Sequence, residues 1–112
     1  MFTVNGTEWN ISVVDPFSDK LKRSDNVYTL GVTDNSLKTI FLSSKLRGRM
    51  LDKVLCHEIT HVYSFENGCD FDIQTEEVIA DFMSLFGRDI IYLLDDLMKI
   101  IEKSHKISRQ KI

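Results

Sequence analysis

The residues of this chain that could do metal chemistry lie in one short stretch, residues 56–61, which reads C-H-E-I-T-H. His57 and His61 are four positions apart. On an α-helix such positions lie one turn apart on the same face, so both imidazoles can reach one metal ion. Glu58 is rotated by about 100° from His57, which places its carboxylate beside the metal ion rather than on it. A carboxylate in that place can take a proton from a metal-activated water, so the spacing predicts a metal site with an adjacent base.

The H-E-x-x-H spacing is typical of zinc peptidases. Zinc takes nitrogen, sulfur and oxygen ligands in a tetrahedron, and a catalytic site keeps one position open for water. The flanks of the motif favour the helix that this chemistry requires, because apolar residues recur there at steps of three and four. They are Met50, Leu51, Val54, Leu55, Ile59, Val62 and Phe65. We therefore expect Zn²⁺, with another divalent metal as the alternative, on a helix with one buried side.

Two histidines leave a zinc site one protein ligand short, and the chain must supply the third. The candidates are Glu76, Glu77, Asp70, Asp72, Cys69 and His105. We favour Glu77, because Asp81 follows it by one helical turn and can accept a hydrogen bond from the second nitrogen of His57. Glu76 is the alternative ligand, and if Glu77 binds the metal, Glu76 is expected to point towards water. The helix dipole also favours acids in a first turn, but that reason does not extend to Asp81.

Length and composition favour a single domain over residues 1–112. A chain of this length buries roughly two-thirds of its unfolded surface, which suits a core without disulfides. The net charge of −3 gives no general attraction to nucleic acid or to a membrane surface. No charged-then-apolar leader opens the chain, and its longest apolar run, residues 90–94, is far shorter than the ~18 residues of a membrane span. These features predict a cytoplasmic protein with neither a membrane nor a nucleic acid as partner.

Residues 1–43 carry the turn signals and the alternation of a mainly β region. Asn5-Gly6 predicts a tight hairpin between strands at residues 1–4 and 7–14, because both turn residues suit positive φ. The other predicted elements of this part are a short helix at residues 16–23 and strands at residues 27–33 and 37–42. Together these strands predict a small antiparallel sheet of three or four strands.

Residues 44–103 have helical periodicity and carry the predicted metal site. The motif helix is expected to end at Asn67-Gly68, because a glycine suits the left-handed conformation after a last turn. Thr75 can cap the next helix, and Gly87-Arg88 is expected to break or bend it, so that residues 89–103 form a third helical segment. Residues 104–112 are expected to be a tail. The predicted fold class is α+β, with the small antiparallel sheet packed on C-terminal helices.

The sequences H-E-I-T-H at residues 57–61 and E-V-I-A-D at residues 77–81 resemble those of the gluzincin metallopeptidases. In thermolysin-like members of that group, a glutamate ligand is followed four residues later by an aspartate that bonds a ligand histidine. The layout also resembles the compact ImmA/IrrE-type metallopeptidases of bacteria and their mobile elements, and short phage-encoded relatives. In those proteins a small sheet precedes the active-site helix, and L-G-V-T-D at residues 30–34 and T-I-F-L at residues 39–42 match that sheet.

The resemblance covers about residues 27–87 and implies a minimal zincin domain. It implies His57, His61 and Glu77 as zinc ligands and Glu58 as the base. Asp81 would accept a hydrogen bond from a ligand histidine. The family helix usually reads E-x-E-A-N-x-F-A, whereas E-E-V-I-A-D-F stands at residues 76–82, so the choice between Glu76 and Glu77 stays open. Segments that direct ImmA-type proteins to repressors have no counterpart here, and repressor cleavage is not implied.

The expected function is that of a zinc-dependent metallo-endopeptidase acting on a cytoplasmic protein. Glu58 would take a proton from the attacking water and pass it to the leaving amine. The strand at residues 37–42, as an edge strand, could pair with an extended protein or peptide substrate. A donor to the developing oxyanion is also expected. The candidates for it are Tyr28, Tyr63, Tyr92 and His105.

Two other functions fit parts of the sequence. One is a non-enzymatic module that binds zinc or a protein partner, although a purely structural site has no use for a base at Glu58. The other is a DNA-associated protease of the SprT type, whose third zinc ligand is a histidine. No histidine lies between His61 and His105, which disfavours that second alternative.

Overall fold

A four-stranded sheet and two long helices make up the chain in the computed structural model, which describes residues 1–110, with side chains to residue 105. The strands are β1 (Phe2–Val4), β2 (Thr7–Val14), β3 (Gly31–Asp34) and β4 (Thr39–Ser43). A 3₁₀ turn at Asp19–Leu21 stands where a short helix was expected at residues 16–23. The helices are α1 (Gly48–Glu66) and α2 (Ile73–Gln110). The predicted α+β class is confirmed.

The sheet is mixed, whereas an antiparallel sheet was predicted. Its strand order is β1-β2-β4-β3, with β1/β2 and β3/β4 antiparallel and β2/β4 parallel. The β1/β2 hairpin turns at Asn5 and Gly6, whose φ angles of 48° and 81° are both positive, as the sequence predicted. After β2 the chain reverses once before β3 and once more before β4. Two reversals return β4 to the direction of β2, which explains the parallel pair.

The strand predicted at residues 37–42 is not an edge strand. It forms β4, which lies between β2 and β3, and its residues Ile40, Phe41 and Leu42 are buried. The strand beside the helices at the open edge is β3, which is shorter than the strand predicted at residues 27–33. A consecutive apolar run such as I-F-L is typical of a strand covered on both faces, so this signal was present in the sequence.

The core forms where α1 packs on one face of the sheet. Its buried members are Val4, Trp9, Ile40, Leu42, Leu46 and Val62. Four of the apolar positions that predicted the motif helix pack against them: Leu51, Val54, Leu55 and Ile59. The last turn of α1 is also tied to the sheet, because Glu66 accepts hydrogen bonds from Trp9 Nε1 (3.0 Å) and Lys38 Nζ (2.7 Å). These contacts fix which face of α1 points away from the sheet.

Helix α2 is one continuous helix of 38 residues, so the predicted break at Gly87-Arg88 is wrong. A glycine inside a helix costs only about 1 kcal/mol, which the many other residues of so long a helix outweigh. The helix begins at Ile73 because Asp72 Oδ1 accepts from the Thr75 N–H at 2.7 Å, so Asp72 is the cap rather than Thr75. Part of the predicted tail, residues 104–110, belongs to α2, and residues 111–112 lie outside the described residues.

Neither helix, within the part of the chain that is described, combines the length and the apolar content that crossing a membrane requires.

Gly31 lets β3 approach α1 closely, which gives a test of the packing between sheet and helix. A Cβ at this position would lie 2.8 Å from Val54 Cγ1 and 3.1 Å from Glu58 Cγ. We expect Gly31→Ala to lower the free energy of unfolding by about 1–3 kcal/mol, measured by chemical denaturation. The double variant Gly31→Ala, Val54→Ala removes the clashing γ-carbons, so it should lose less than the sum of the two single variants. Strictly additive losses would contradict this close approach.

Candidate metal centre

The candidate site lies where the middle of α1 faces the first turns of α2. The two helices run antiparallel, which brings His61 near Glu77, His57 near Asp81 and Asp52 near Arg88. Ala80 on α2 is fully buried, and Arg88 Nη1 donates to Asp52 Oδ2 at 2.6 Å further along the helix pair. The small buried side chain and the ion pair hold α2 in register on α1. The acids of its first two turns consequently face the two histidines.

The three residues predicted as ligands converge. His57 Nε2 lies 3.0 Å from Glu77 Oε2, and His61 Nε2 lies 3.0 Å from Glu77 Oε1. One ligand atom from each of the three residues lies within 4.8 Å of the other two, and this is the group of the described residues that could hold a metal ion. The favoured candidate, Glu77, is therefore placed at the two imidazoles. Its role as a ligand stays a prediction.

The other nitrogen of each histidine is held by a second acid. His57 Nδ1 lies 2.9 Å from Asp81 Oδ1, which is the contact that the sequence predicted. His61 Nδ1 lies 2.7 Å from Glu76 Oε1, so the expectation that Glu76 points to water is wrong. Its side chain is only 14% exposed, compared with 49% for Glu77. Such outer carboxylates fix the tautomer and the orientation of a metal-binding imidazole.

These contacts present more acceptors than two neutral imidazole rings can satisfy. Four imidazole nitrogens each face a carboxylate oxygen, but a neutral imidazole carries only one N–H. If the Nδ1 atoms donate to Asp81 and Glu76, both Nε2 lone pairs face the carboxylate of Glu77. That approach is repulsive unless positive charge lies between the groups. Two nitrogens and a carboxylate around such a point are a donor set that suits zinc, so the residues fit this metal.

Glu58 is held beside the triad by the edge strand. It is buried, and Thr33 Oγ1 lies 2.9 Å from its Oε1 and 3.0 Å from its carbonyl oxygen. Burial raises the pKa of the Glu58 carboxyl, whereas the hydrogen bond from Thr33 and the nearby His57 and His61 act in the opposite direction. A raised pKa brings a carboxyl group closer to the range in which it can exchange a proton at neutral pH.

Sequence reasoning missed Thr33. Gly31 and Thr33 are two positions apart on β3 and both meet α1 at Glu58. The alternation of a strand places such residues on one face, so this signal was available once β3 was assigned as the strand next to α1. Which strand lies next to α1 cannot be read from the local sequence.

A cleft of about 620 Å³ opens over the site. The segment 29–33 forms one wall, the face of α1 with His57, Glu58 and His61 forms the floor, and the start of α2 forms the other wall. The four expected oxyanion donors, Tyr28, Tyr63, Tyr92 and His105, do not line this cleft. The cationic donors that do line it are Arg23, which pairs with Asp25 at 2.6 Å, and Lys53.

Comparisons of the chain with protein-family models, with curated proteins and with solved structures found no match. The resemblance to gluzincins and to ImmA/IrrE-type peptidases therefore stays a prediction from the motifs.

We expect the purified chain to bind about one zinc ion. His61→Ala and Glu77→Ala should lose most of it, because each removes one of the three convergent donor groups. Elemental analysis after dialysis measures the content, and Asp95→Ala, which removes an acid distant from the site on α2, is the control. Zinc should also raise the melting temperature of the wild type and the control but not of His61→Ala. Full zinc content in both ligand variants would exclude this site.

The two outer acids give a second prediction. Asp81→Ala and Glu76→Ala should each weaken zinc binding by about 10- to 100-fold while the chain stays folded. The double variant should be weaker still, because each acid holds a different ring. Competition with a coloured chelator measures the affinity, and circular dichroism checks the fold. An unchanged affinity in either single variant would show that this acid does not orient its histidine for the metal.

Proposed function

We propose that this protein is a zinc-dependent endopeptidase that acts on a cytoplasmic protein. The observation that carries the proposal is the surplus of acceptors, in which two imidazole Nε2 atoms face one carboxylate while both Nδ1 atoms are engaged by other acids. A divalent cation removes that conflict, and His57, His61 and Glu77 would hold it. Glu58 lies beside the triad but is not a member of the ligand group, which supports catalysis rather than metal storage.

Zinc in such a site lowers the pKa of a water molecule to about 7 and polarises a carbonyl group. The remaining steps belong to residues of this chain. Glu58 accepts a proton from the water whose oxygen attacks the carbonyl carbon of the peptide bond. When the C–N bond breaks, Glu58 returns that proton to the leaving nitrogen, so that water is added across the bond and the base is regenerated. Thr33 keeps the carboxylate in place for both transfers, since its hydroxyl lies 2.9 Å from Glu58 Oε1.

The substrate is an extended segment that lies along β3. This strand pairs with β4 on one side only, and its other edge borders the cleft that contains Glu58. An extended peptide can add to such an edge through main-chain hydrogen bonds. Strand β3 therefore takes the role that was expected of residues 37–42. Arg23, which lines the cleft, is our candidate for the donor to the charge that develops on the substrate carbonyl oxygen.

The test is the substitution Glu58→Gln, which keeps the shape of the side chain and removes the base. We expect zinc content to stay at the wild-type level and turnover to fall by a factor on the order of 10² or more. Cleavage of unfolded protein and of a peptide library is followed by mass spectrometry, with both proteins loaded to the same zinc content. The matched control is Glu8→Gln, which makes the same change at an exposed position on β2, outside the cleft.

Equal rates for the wild type and Glu58→Gln would show that Glu58 is not the base. If no substrate is cut by zinc-loaded wild type, the protein is better described as a module that binds zinc or a protein partner. A wild type that cuts its substrate equally well after zinc has been removed would contradict the proposal in full.

A further inference from the structure

The C-terminal half of α2 projects beyond the rest of the molecule. The pairing of Asp52 with Arg88, close to the first turn of α1, shows that α2 passes the end of α1 within the next few residues. Every residue from Arg88 to His105 is exposed. The molecule measures 66 × 30 × 27 Å, and its radius of gyration of 18.5 Å exceeds the value of about 13 Å that a compact chain of this length would have.

The projecting helix carries an apolar stripe, defined here as Phe82, Phe86, Ile90, Leu93, Leu97 and Ile101. Successive members of the stripe are four, four, three, four and four positions apart in the sequence. An 11-residue repeat of this kind has about 3.67 residues per turn, close to the 3.6 of a straight helix, so the stripe runs almost parallel to the helix axis. All six side chains are between 46% and 59% exposed. An isolated surface leucine needs no explanation, but a continuous stripe of this length does.

The stripe and the apolar residues beside it have the area that a stable pair of proteins requires. With the flanking Leu94, Met98 and Ile100, nine large apolar residues are between 44% and 64% exposed. Together they present on the order of 900 Å², compared with the roughly 800 Å² that each partner contributes to a standard interface. The largest apolar patch on a typical monomer covers only about 300–600 Å².

We propose that this stripe binds the same stripe of a second copy, so that two α2 helices pair antiparallel about a two-fold axis near Asp95 and Asp96. An axis at this position overlaps the whole of residues 82–110 in both copies. It places Ile90 against Ile101 of the second copy and Leu94 against Leu97 of the second copy. The interface is self-complementary, which a two-fold dimer requires.

The charges beside the stripe favour this arrangement. Asp89 and Lys103 lie 14 residues apart, carry opposite charges and lie on the same edge of the helix. In the antiparallel pair Asp89 of one copy lies beside Lys103 of the other, whereas Arg88 stays paired with Asp52 of its own copy. Asp95 and Asp96 lie close to the axis on the solvent side, where water and salt screen their repulsion.

A membrane surface fits the helix less well. Helices that lie on membranes are usually rich in lysine and arginine on their polar side. Between residues 88 and 110 this helix carries four acids, Asp89, Asp95, Asp96 and Glu102, and five basic residues, Arg88, Lys99, Lys103, Lys106 and Arg109. The balance of a single positive charge gives anionic lipids little attraction.

The test is the oligomeric state of the full chain, measured by sedimentation equilibrium over about a hundredfold range of concentration. We expect a dimer in the wild type. Leu97→Glu should raise the dissociation constant at least about 100-fold, because it buries an unpaired charge in both copies. The matched control is Tyr92→Glu, which adds the same charge on the opposite side of the helix, where the side chain is 61% exposed. It should change the constant by no more than about threefold.

A charge exchange tests the antiparallel pairing itself. Asp89→Lys alone and Lys103→Asp alone should each weaken the dimer, and the double variant should recover most of the loss. The variant His61→Ala should dimerise as the wild type does, so this proposal stands or falls independently of the metal site. Circular dichroism confirms that each variant keeps its helix content.

Three outcomes would overturn the proposal. The first is a wild type that is monomeric over the whole range of concentration. The second is an equal loss of dimer in Leu97→Glu and Tyr92→Glu. The third is a monomeric chain that binds phosphatidylcholine vesicles through the stripe, which would assign this surface to a lipid partner.

Discussion

The structure of the site depends on one electrostatic constraint, which is that two imidazoles and four carboxylates share the boundary between α1 and α2. Glu76, Glu77 and Asp81 approach the rings from α2, and Glu58 lies beside them on α1. Negative charge of this density in a partly enclosed cleft is unfavourable unless positive charge accompanies it. The rest of the molecule serves to hold the two helices in register against that repulsion, through the core under α1, the buried Ala80 and the ion pair of Asp52 with Arg88.

The parts of the site that the sequence predicted are those that follow from helical spacing. His57 and His61, and likewise Glu77 and Asp81, are one turn apart, so their common face follows from the helix alone. The structure places these two pairs on facing helices, and Asp81 contacts His57 as the sequence predicted. The role of Glu76 was not predicted correctly. Two acids in adjacent positions point about 100° apart, and whether the first one meets water or His61 depends on the crossing of α1 and α2, which local spacing does not determine.

The sheet was predicted less accurately than the helices because strand order is a property of long-range contacts. The alternation of residues identified the strands, and Asn5-Gly6 identified the hairpin, since these signals are local. The parallel pairing of β2 with β4 joins residues about 29 positions apart, and only the reversals of the intervening chain decide it. Thr33 was missed for the same reason, because its contact with Glu58 depends on the placement of β3 beside α1. Gly87 shows the opposite case, in which a local helix-breaking signal is outweighed by the length of the helix that contains it.

The short link between α1 and α2, which spans only Asn67 to Asp72, has a consequence for the order in which the site is assembled. His57, His61, Glu76, Glu77 and Asp81 all belong to one helical hairpin, so closing the loop that joins them requires little loss of chain entropy. This hairpin has the low contact order of fast-forming structure, whereas the β2/β4 pair must wait for a much longer loop to close. Glu58 is positioned by Thr33 and Gly31, which belong to the slower part. The proposed ligands and the proposed base are therefore assembled in separate stages, and a nascent chain can form the ligand group before the base is in place.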